Sequence, residues 1–149
     1  MIDDIYSAKI LKLAANMPRA GRLAAPHGSS EKVAKLCGSR IVVDIEMTDG
    51  RVSDFAQDVK ACALGQAAAA VLGANVIGAT AAEIEAARAA LYEMLKADGK
   101  APAGRFSDLA MLAPVKDYAP RHASTMLAFD AAAEAVRLAV ARTTAAGAV

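Results

Sequence analysis

The two cysteines of this chain are the residues best suited to soft-metal or nucleophilic chemistry. Cys37 stands in "KLCGSRIVVDI" and Cys62 in "VKACALGQAAAA". Two thiols can ligate a soft metal ion, exchange with a disulfide, or simply pack as small apolar side chains. The two histidines, His27 and His122, are the next candidates, since an imidazole nitrogen is also a metal ligand. His122 and Ser124 share one predicted helix, where their spacing points them to different sides, so they do not form a nucleophile and its base. Gly65 and Gly73 lack the pattern of a phosphate-binding loop.

Which chemistry the thiols support depends on the elements that position them. Residues 3–17 read as an amphipathic helix with Tyr6, Ile10, Leu13 and Met17 at helical spacing, ended by Pro18. Residues 19–36 mix loop signals with short apolar pieces and leave room for one strand. Residues 40–59 read as a hairpin: Ile41, Val43, Ile45 and Met47 alternate, and Asp49-Gly50 supplies the turn. An antiparallel hairpin brings its two ends together. Cys37 just precedes the first strand and Cys62 just follows the second, so the thiols are expected within about 10 Å. Cys62 also opens a helix over residues 62–73, where unsatisfied N–H groups favour negative charge. Arg40 and Lys60 flank the pair and are expected to favour thiolates. A further helix starts at Thr80, whose spacing to Glu83 is that of a capping box, and stops near Gly99. A loop-rich stretch with one short helix leads to a last helix over residues 122–143, with Met126, Phe129, Ala133, Val136 and Val140 facing the core.

Composition bounds the rest. The chain has 149 residues, 56% of them hydrophobic and 22% charged, which fits one folded domain over 1–149. Aromatics are only 4%, so the core is aliphatic. A net charge of +1 and the lack of a basic stripe argue against nucleic acid or an anionic membrane as partner. Ala61 to Ala79 is uncharged, but Gln66, Asn75, Gly73 and Gly78 interrupt it, so it reads as a buried helix rather than a membrane span. Asp3 and Asp4 do not fit a secretory leader. A soluble cytoplasmic protein with free or metal-bound thiols is expected. The fold class is α+β: a small antiparallel sheet of about three strands with helices on one face.

The ordered set of these segments resembles the U-type iron–sulfur cluster assembly scaffolds (IscU, SufU and the N-terminal part of NifU), and the SufU branch in particular. "YSAKILKLAANMPRAGRL" is similar to the family's opening helix and Asn-x-Pro-Arg turn, here Asn16, Pro18 and Arg19. "CGSRIVVDIEMTDGRVSDF" is similar to its Cys-Gly-Asp, strand, Asp-Gly turn and strand. "VKACALGQAAAAVLG" is similar to its second cysteine and the small-residue helix that follows. "APVKDYAPRHASTMLAFDAAAEAV" is similar to the segment that presents its third cysteine. The stretch between Thr80 and Pro120 is similar to the insertion of the SufU branch.

The resemblance implies a scaffold or carrier, not an enzyme, that holds a transient iron–sulfur cluster or zinc on three cysteines and an aspartate. Cys37 and Cys62 fall on the first two cysteines. Ser39 falls on the aspartate and Ser124 on the third cysteine, so two of four ligand positions are changed. His122, or His27, is then the candidate to supply a nitrogen ligand. A cysteine desulfurase and acceptor apoproteins are the implied partners, with Arg19 and Arg121 as candidate contacts. Two cysteines per chain invite a homodimer. Other readings remain open: a redox-active thiol pair, or a scaffold fold that binds no cofactor and serves as a regulatory partner of sulfur mobilisation.

Overall fold

The computed structural model describes residues 7–147. The part of the expected first helix before Ser7, including Tyr6, lies outside the described residues. Helix α1 is Ala8–Ala15, capped by the Ser7 hydroxyl, which accepts from the Ile10 N–H at 3.4 Å. It ends before Met17 because a residue ahead of proline avoids helical angles. Three strands follow: β1 (Gly28–Ala34), β2 (Ser39–Thr48) and β3 (Arg51–Lys60). They form one antiparallel sheet in the order β1-β2-β3. The fold is α+β, as expected.

The β2–β3 hairpin closes at Asp49-Gly50, with φ of 53° and 78°. That is the left-handed pair a two-residue hairpin turn requires, and glycine meets it without steric cost. Thr48 pairs with Arg51, and Arg40 pairs with Lys60 at the far end. A register shift at Glu46/Met47 leaves Ser53 as an extra residue in β3. Ile41, Val43, Ile45 and Met47 all point into the core.

The helices cover that face. Helix α2 is Ala63–Asn75, α3 is Ala81–Lys96 and α4 is His122–Gly147. Helix α4 lies over β1 and β2, while α2 packs between α1 and α4, and α3 against α4. The Thr80–Glu83 capping box forms in full: the hydroxyl accepts from the Glu83 N–H and the Glu83 carboxylate from the Thr80 N–H, both at 3.1 Å. At the other end of α3 the expected stop shifts by one residue. Asp98 takes the left-handed angles, with φ of 56°, while Gly99 lets the backbone close against Glu93. The loop-rich stretch is 3-10 in character, η1 (Gly104–Asp117), with a kink at Phe106 (φ −105°, ψ 26°), and it buries Phe106, Leu109, Leu112 and Val115.

On the outer face of the sheet, Asp44 is fully buried. Arg22 donates to both its oxygens, at 2.6 and 3.1 Å, the Ser29 hydroxyl donates at 2.6 Å and the Leu23 N–H at 3.0 Å. This carboxylate pins the Arg22–Ser29 loop to β2. Burial alone would raise its pKa; the Arg22 guanidinium, the Ser29 hydroxyl and the Leu23 amide outweigh it and hold the group below its ordinary 3.8. Its stabilisation is therefore complete above the ordinary value and lost as pH falls through the depressed one. Asp44→Asn should cost about 2–3 kcal/mol at neutral pH, and the difference should shrink as pH falls through the depressed pKa and the native carboxyl takes up its proton. Urea midpoints of both proteins across an acid pH series check this.

Candidate functional site

The pairing of Arg40 with Lys60 puts the entry to β2 and the exit from β3 side by side. Cys37 occupies the turn before β2, and Cys62 is the N-cap of α2 directly after β3. Ser39, at the start of β2, lies between them. Its hydroxyl is 3.0 Å from the Cys37 Sγ and accepts from the Cys62 N–H at 3.4 Å. From above, the first turn of α4 brings Ser124. The Cys62 thiol donates to the Ser124 Oγ at 3.4 Å. The Ser124 hydroxyl in turn donates to the Arg121 carbonyl at 3.2 Å.

The structure thus gathers Cys37, Ser39, Cys62 and Ser124 at one end of the sheet. Cys37 is exposed and Cys62 half-buried, while Ser39 and Ser124 are buried. The close approach of α4 to α2 depends on Gly65: a Cβ there would lie 3.0 Å from the Ser124 carbonyl oxygen and 2.9 Å from the Ala61 Cβ. Foremost the Ser39 hydroxyl, and with it the Ser39 backbone, the Ser124 hydroxyl and the charge of Arg121, hold the Cys37 thiol below its ordinary pKa against the opposing effect of burial.

Two expectations are corrected. His122 does not join the thiols. Its ring is buried, with Nε2 2.9 Å from the Val115 carbonyl and 3.0 Å from that of Lys116. The cause is local: the end of η1 leaves carbonyls in need of donors, and helical spacing turns residue 122 away from residue 124. His27 lies at the opposite end of β1, where its Nδ1 accepts from the Met47 N–H at 2.9 Å. Among the described residues, no three His, Cys, Asp or Glu side chains are grouped to hold a metal ion. The second correction concerns Arg40. It pairs with Glu31 at 2.7 Å and Asp58 at 3.8 Å, so the cation acting on Cys37 is Arg121 instead. Arg121 immediately precedes α4, and that adjacency to the Ser124 turn was its only signal in the sequence. Arg19 is ion-paired with Asp54 at 3.6 Å.

A three-stranded antiparallel sheet, helices on its inner face and a thiol cluster at the strand ends define a small thiol-bearing domain of the U-type class. The model of the NifU-like N-terminal domain matches residues 5–125, and the chain belongs to that family. Among solved structures, the N-terminal part of a nitrogen-fixing NifU-like protein from Brucella abortus is 54% identical, with a TM-score of 0.92 over 95% of this chain and 98% of that one. A putative iron–sulfur cluster assembly scaffold protein for the SUF system from Fervidobacterium islandicum shares the fold at 20% identity, with a TM-score of 0.81 over 89% of this chain and 96% of that one. Comparison with proteins of curated function gave no significant match. No described helix is long and apolar enough to cross a membrane.

If the Ser39 hydroxyl is the main support of the Cys37 thiolate, Ser39→Ala should raise the Cys37 pKa. Iodoacetamide alkylation of Cys37 below that pKa should slow by roughly 2- to 10-fold, with the midpoint of the rate–pH curve moved upward. Peptide mapping separates Cys37 from Cys62 in this assay.

Proposed function

We propose that this protein is an iron–sulfur cluster assembly scaffold or carrier whose cargo is received at Cys37 and Cys62. The observation that carries this reading is the convergence of Cys37, Ser39, Cys62 and Ser124 on one exposed end of the sheet. Family membership supports it, and the Fervidobacterium neighbour is itself described as a scaffold of this kind. The donor set of one chain is two thiols and two hydroxyls. Thiolates suit iron–sulfur clusters and zinc; neutral hydroxyls are poor ligands for them. The set therefore fits a cluster as half of a larger one. Two chains, each giving Cys37 and Cys62, supply the four thiolates that a [2Fe–2S] cluster takes. On this reading the protein is a carrier rather than an enzyme, and it meets a cysteine desulfurase on loading and acceptor apoproteins on release. The exposure of Cys37 suits both encounters.

Anaerobic reconstitution with ferrous iron and sulfide tests this. The expected product is a labile cluster with sulfur-to-iron charge-transfer bands, carried by a dimer and abolished by Cys37→Ser. Wild-type protein that stays monomeric and colourless would favour the second reading, a regulatory partner of sulfur mobilisation that carries no cluster. The serines at positions 39 and 124 are the specific observation in favour of that second reading.

Restoring the ligand types tests the geometry independently. Ser39→Asp with Ser124→Cys completes a tetrahedral set around the two existing thiols. Zinc affinity should rise roughly a hundredfold or more, and Cys37→Ser in that background should undo the gain. A folded double variant with unchanged zinc titration would show that position 124 does not face the thiols.

A further inference from the structure

The same two thiols are placed to react with each other. The Cys62 thiol donates to the Ser124 hydroxyl at 3.4 Å, and the Cys37 thiol sits against Ser39 on the neighbouring strand end. The Ser39 hydroxyl spans the Cys37 sulfur and the Cys62 backbone, at 3.0 and 3.4 Å. A disulfide needs the cysteine Cα atoms about 4.4–6.8 Å apart. The movement required falls on the exposed turn that carries Cys37, which the Gly38 N–H ties to the Ala34 carbonyl at 2.9 Å. Leu36 is 87% exposed, and a Cβ on Gly38 would meet nothing within 4 Å. Cys62 is held in place as the α2 N-cap. The pair is thus unequal: one thiol is presented to solvent on a turn, the other waits behind it on a fixed helix end. No third cysteine, histidine or carboxylate is grouped with them among the described residues.

We propose that this pair reduces sulfane sulfur to sulfide, with Cys37 as the acceptor and Cys62 as the resolving thiol. The proposal rests on the reading that sulfur is delivered to this site. In the first step the Cys37 thiolate attacks the outer sulfur of a persulfide or polysulfide donor. A Cys37 persulfide forms, and the donor leaves as a thiolate or shortened polysulfide. In the second step the Cys62 thiolate attacks the inner, Cys37 sulfur. The Cys37–Cys62 bond forms, the persulfide S–S bond breaks, and its electron pair leaves with the outer sulfur as hydrosulfide. The two cysteine sulfurs are oxidised by two electrons in total, and the sulfane sulfur is reduced by two. The Ser124 hydroxyl beside the Cys62 sulfur and the Ser39 hydroxyl beside the Cys37 sulfur flank the charge that passes between them. A dithiol reductant returns the disulfide to the starting pair.

Fully reduced protein is mixed anaerobically with inorganic tetrasulfide, desalted, and read by intact mass and peptide mapping. The expected wild-type product has lost two hydrogens and carries a Cys37–Cys62 disulfide. Cys62→Ser should instead gain one sulfur atom on Cys37 and keep it at least about ten times longer than wild type does. Cys37→Ser should show neither product. A wild-type persulfide that survives on Cys37 beside a free Cys62 overturns the proposal, and this outcome needs no variant to fold. Cys62→Ser losing its sulfur as fast as wild type overturns it as well. The assay contains no iron, so its failure is separate from failure of the cluster reconstitution. A chain that binds a cluster but keeps its persulfide is a scaffold without this activity, and a colourless chain that forms the disulfide has the activity without the scaffold role.

Discussion

The pairing of β2 with β3 is the constraint from which the site follows. Its register runs from Thr48 opposite Arg51 to Arg40 opposite Lys60, and the chain on either side of that last pair carries the two cysteines. A slip of one residue would turn Ile41, Val43, Ile45 and Met47 out of the core and bring Val42, Asp44 and Glu46 in. Asp44 could not make that move, because its four hydrogen bonds come from the opposite face. The hydrophobic pattern and the buried carboxylate thus enforce the same register. The turn residues add a third, local reason, since Asp49 and Gly50 both occupy left-handed angles. A site built at strand ends inherits the precision of that ladder.

Close packing of small residues fixes the remaining wall. Ala67, Ala68, Ala69 and Ala70 of α2 are all buried, and Gly65 allows the Ser124 backbone to come near. At the other end of the sheet, a Cβ on Gly28 would sit 2.0 Å from the Ala135 carbonyl oxygen, so α4 lies directly on β1. Gln57 joins the layers from within: its amide donates to the carbonyls of Ala69 and Pro18, at 2.9 and 3.2 Å. An aromatic-poor core loses bulk but gains proximity, because short side chains let helix and strand backbones approach. The aromatic contact between Phe106 and Phe129, edge to face at 5.3 Å, fastens η1 to α4 just beyond the site. Helix α4 is therefore held along its length, and its first turn presents Ser124 to Cys62 as part of that rigid body.

The hairpin, the capping box and the long last helix were legible because each rests on local chemistry: alternation, turn residues, reciprocal capping. Strand β1 was not. Its inward residues are Gly28, Ser30 and Ala34, since α4 lies too close for larger ones, and Ser30 donates to Glu134 on that helix. A strand that buries glycine and serine shows no hydrophobic alternation. Segment η1 was legible only as one short helix in a loop-rich stretch. Phe106, Leu109, Leu112 and Val115 recur every third residue, the period of a 3-10 helix rather than an α-helix. At the site, the nearness of the two cysteines followed from the hairpin alone. His122 could not be placed in that way, because its partners are backbone carbonyls of η1, and backbone carbonyls leave no trace in residue identity.

The two serines change what the pocket does with charge. A carboxylate at position 39 would add a negative charge beside Cys37, tolerable only with a cation between them. A hydroxyl adds none, and it can donate a hydrogen bond to a thiolate. Ser39 is placed to do this for Cys37, at 3.0 Å, while Ser124 lies on the Cys62 sulfur at 3.4 Å. A cysteine at position 124 would contribute a third thiolate, whose mutual repulsion with the other two again calls for a metal. With serine at both positions the pocket carries no such added charge and has no electrostatic need for a cation on that account. Two neutral thiols, each against a neutral hydroxyl, need no ion to balance charge. Two thiols with two neutral hydroxyls are a weak donor set for zinc or an iron–sulfur cluster, so on the scaffold reading proposed above a cluster would draw its remaining thiolates from a second chain.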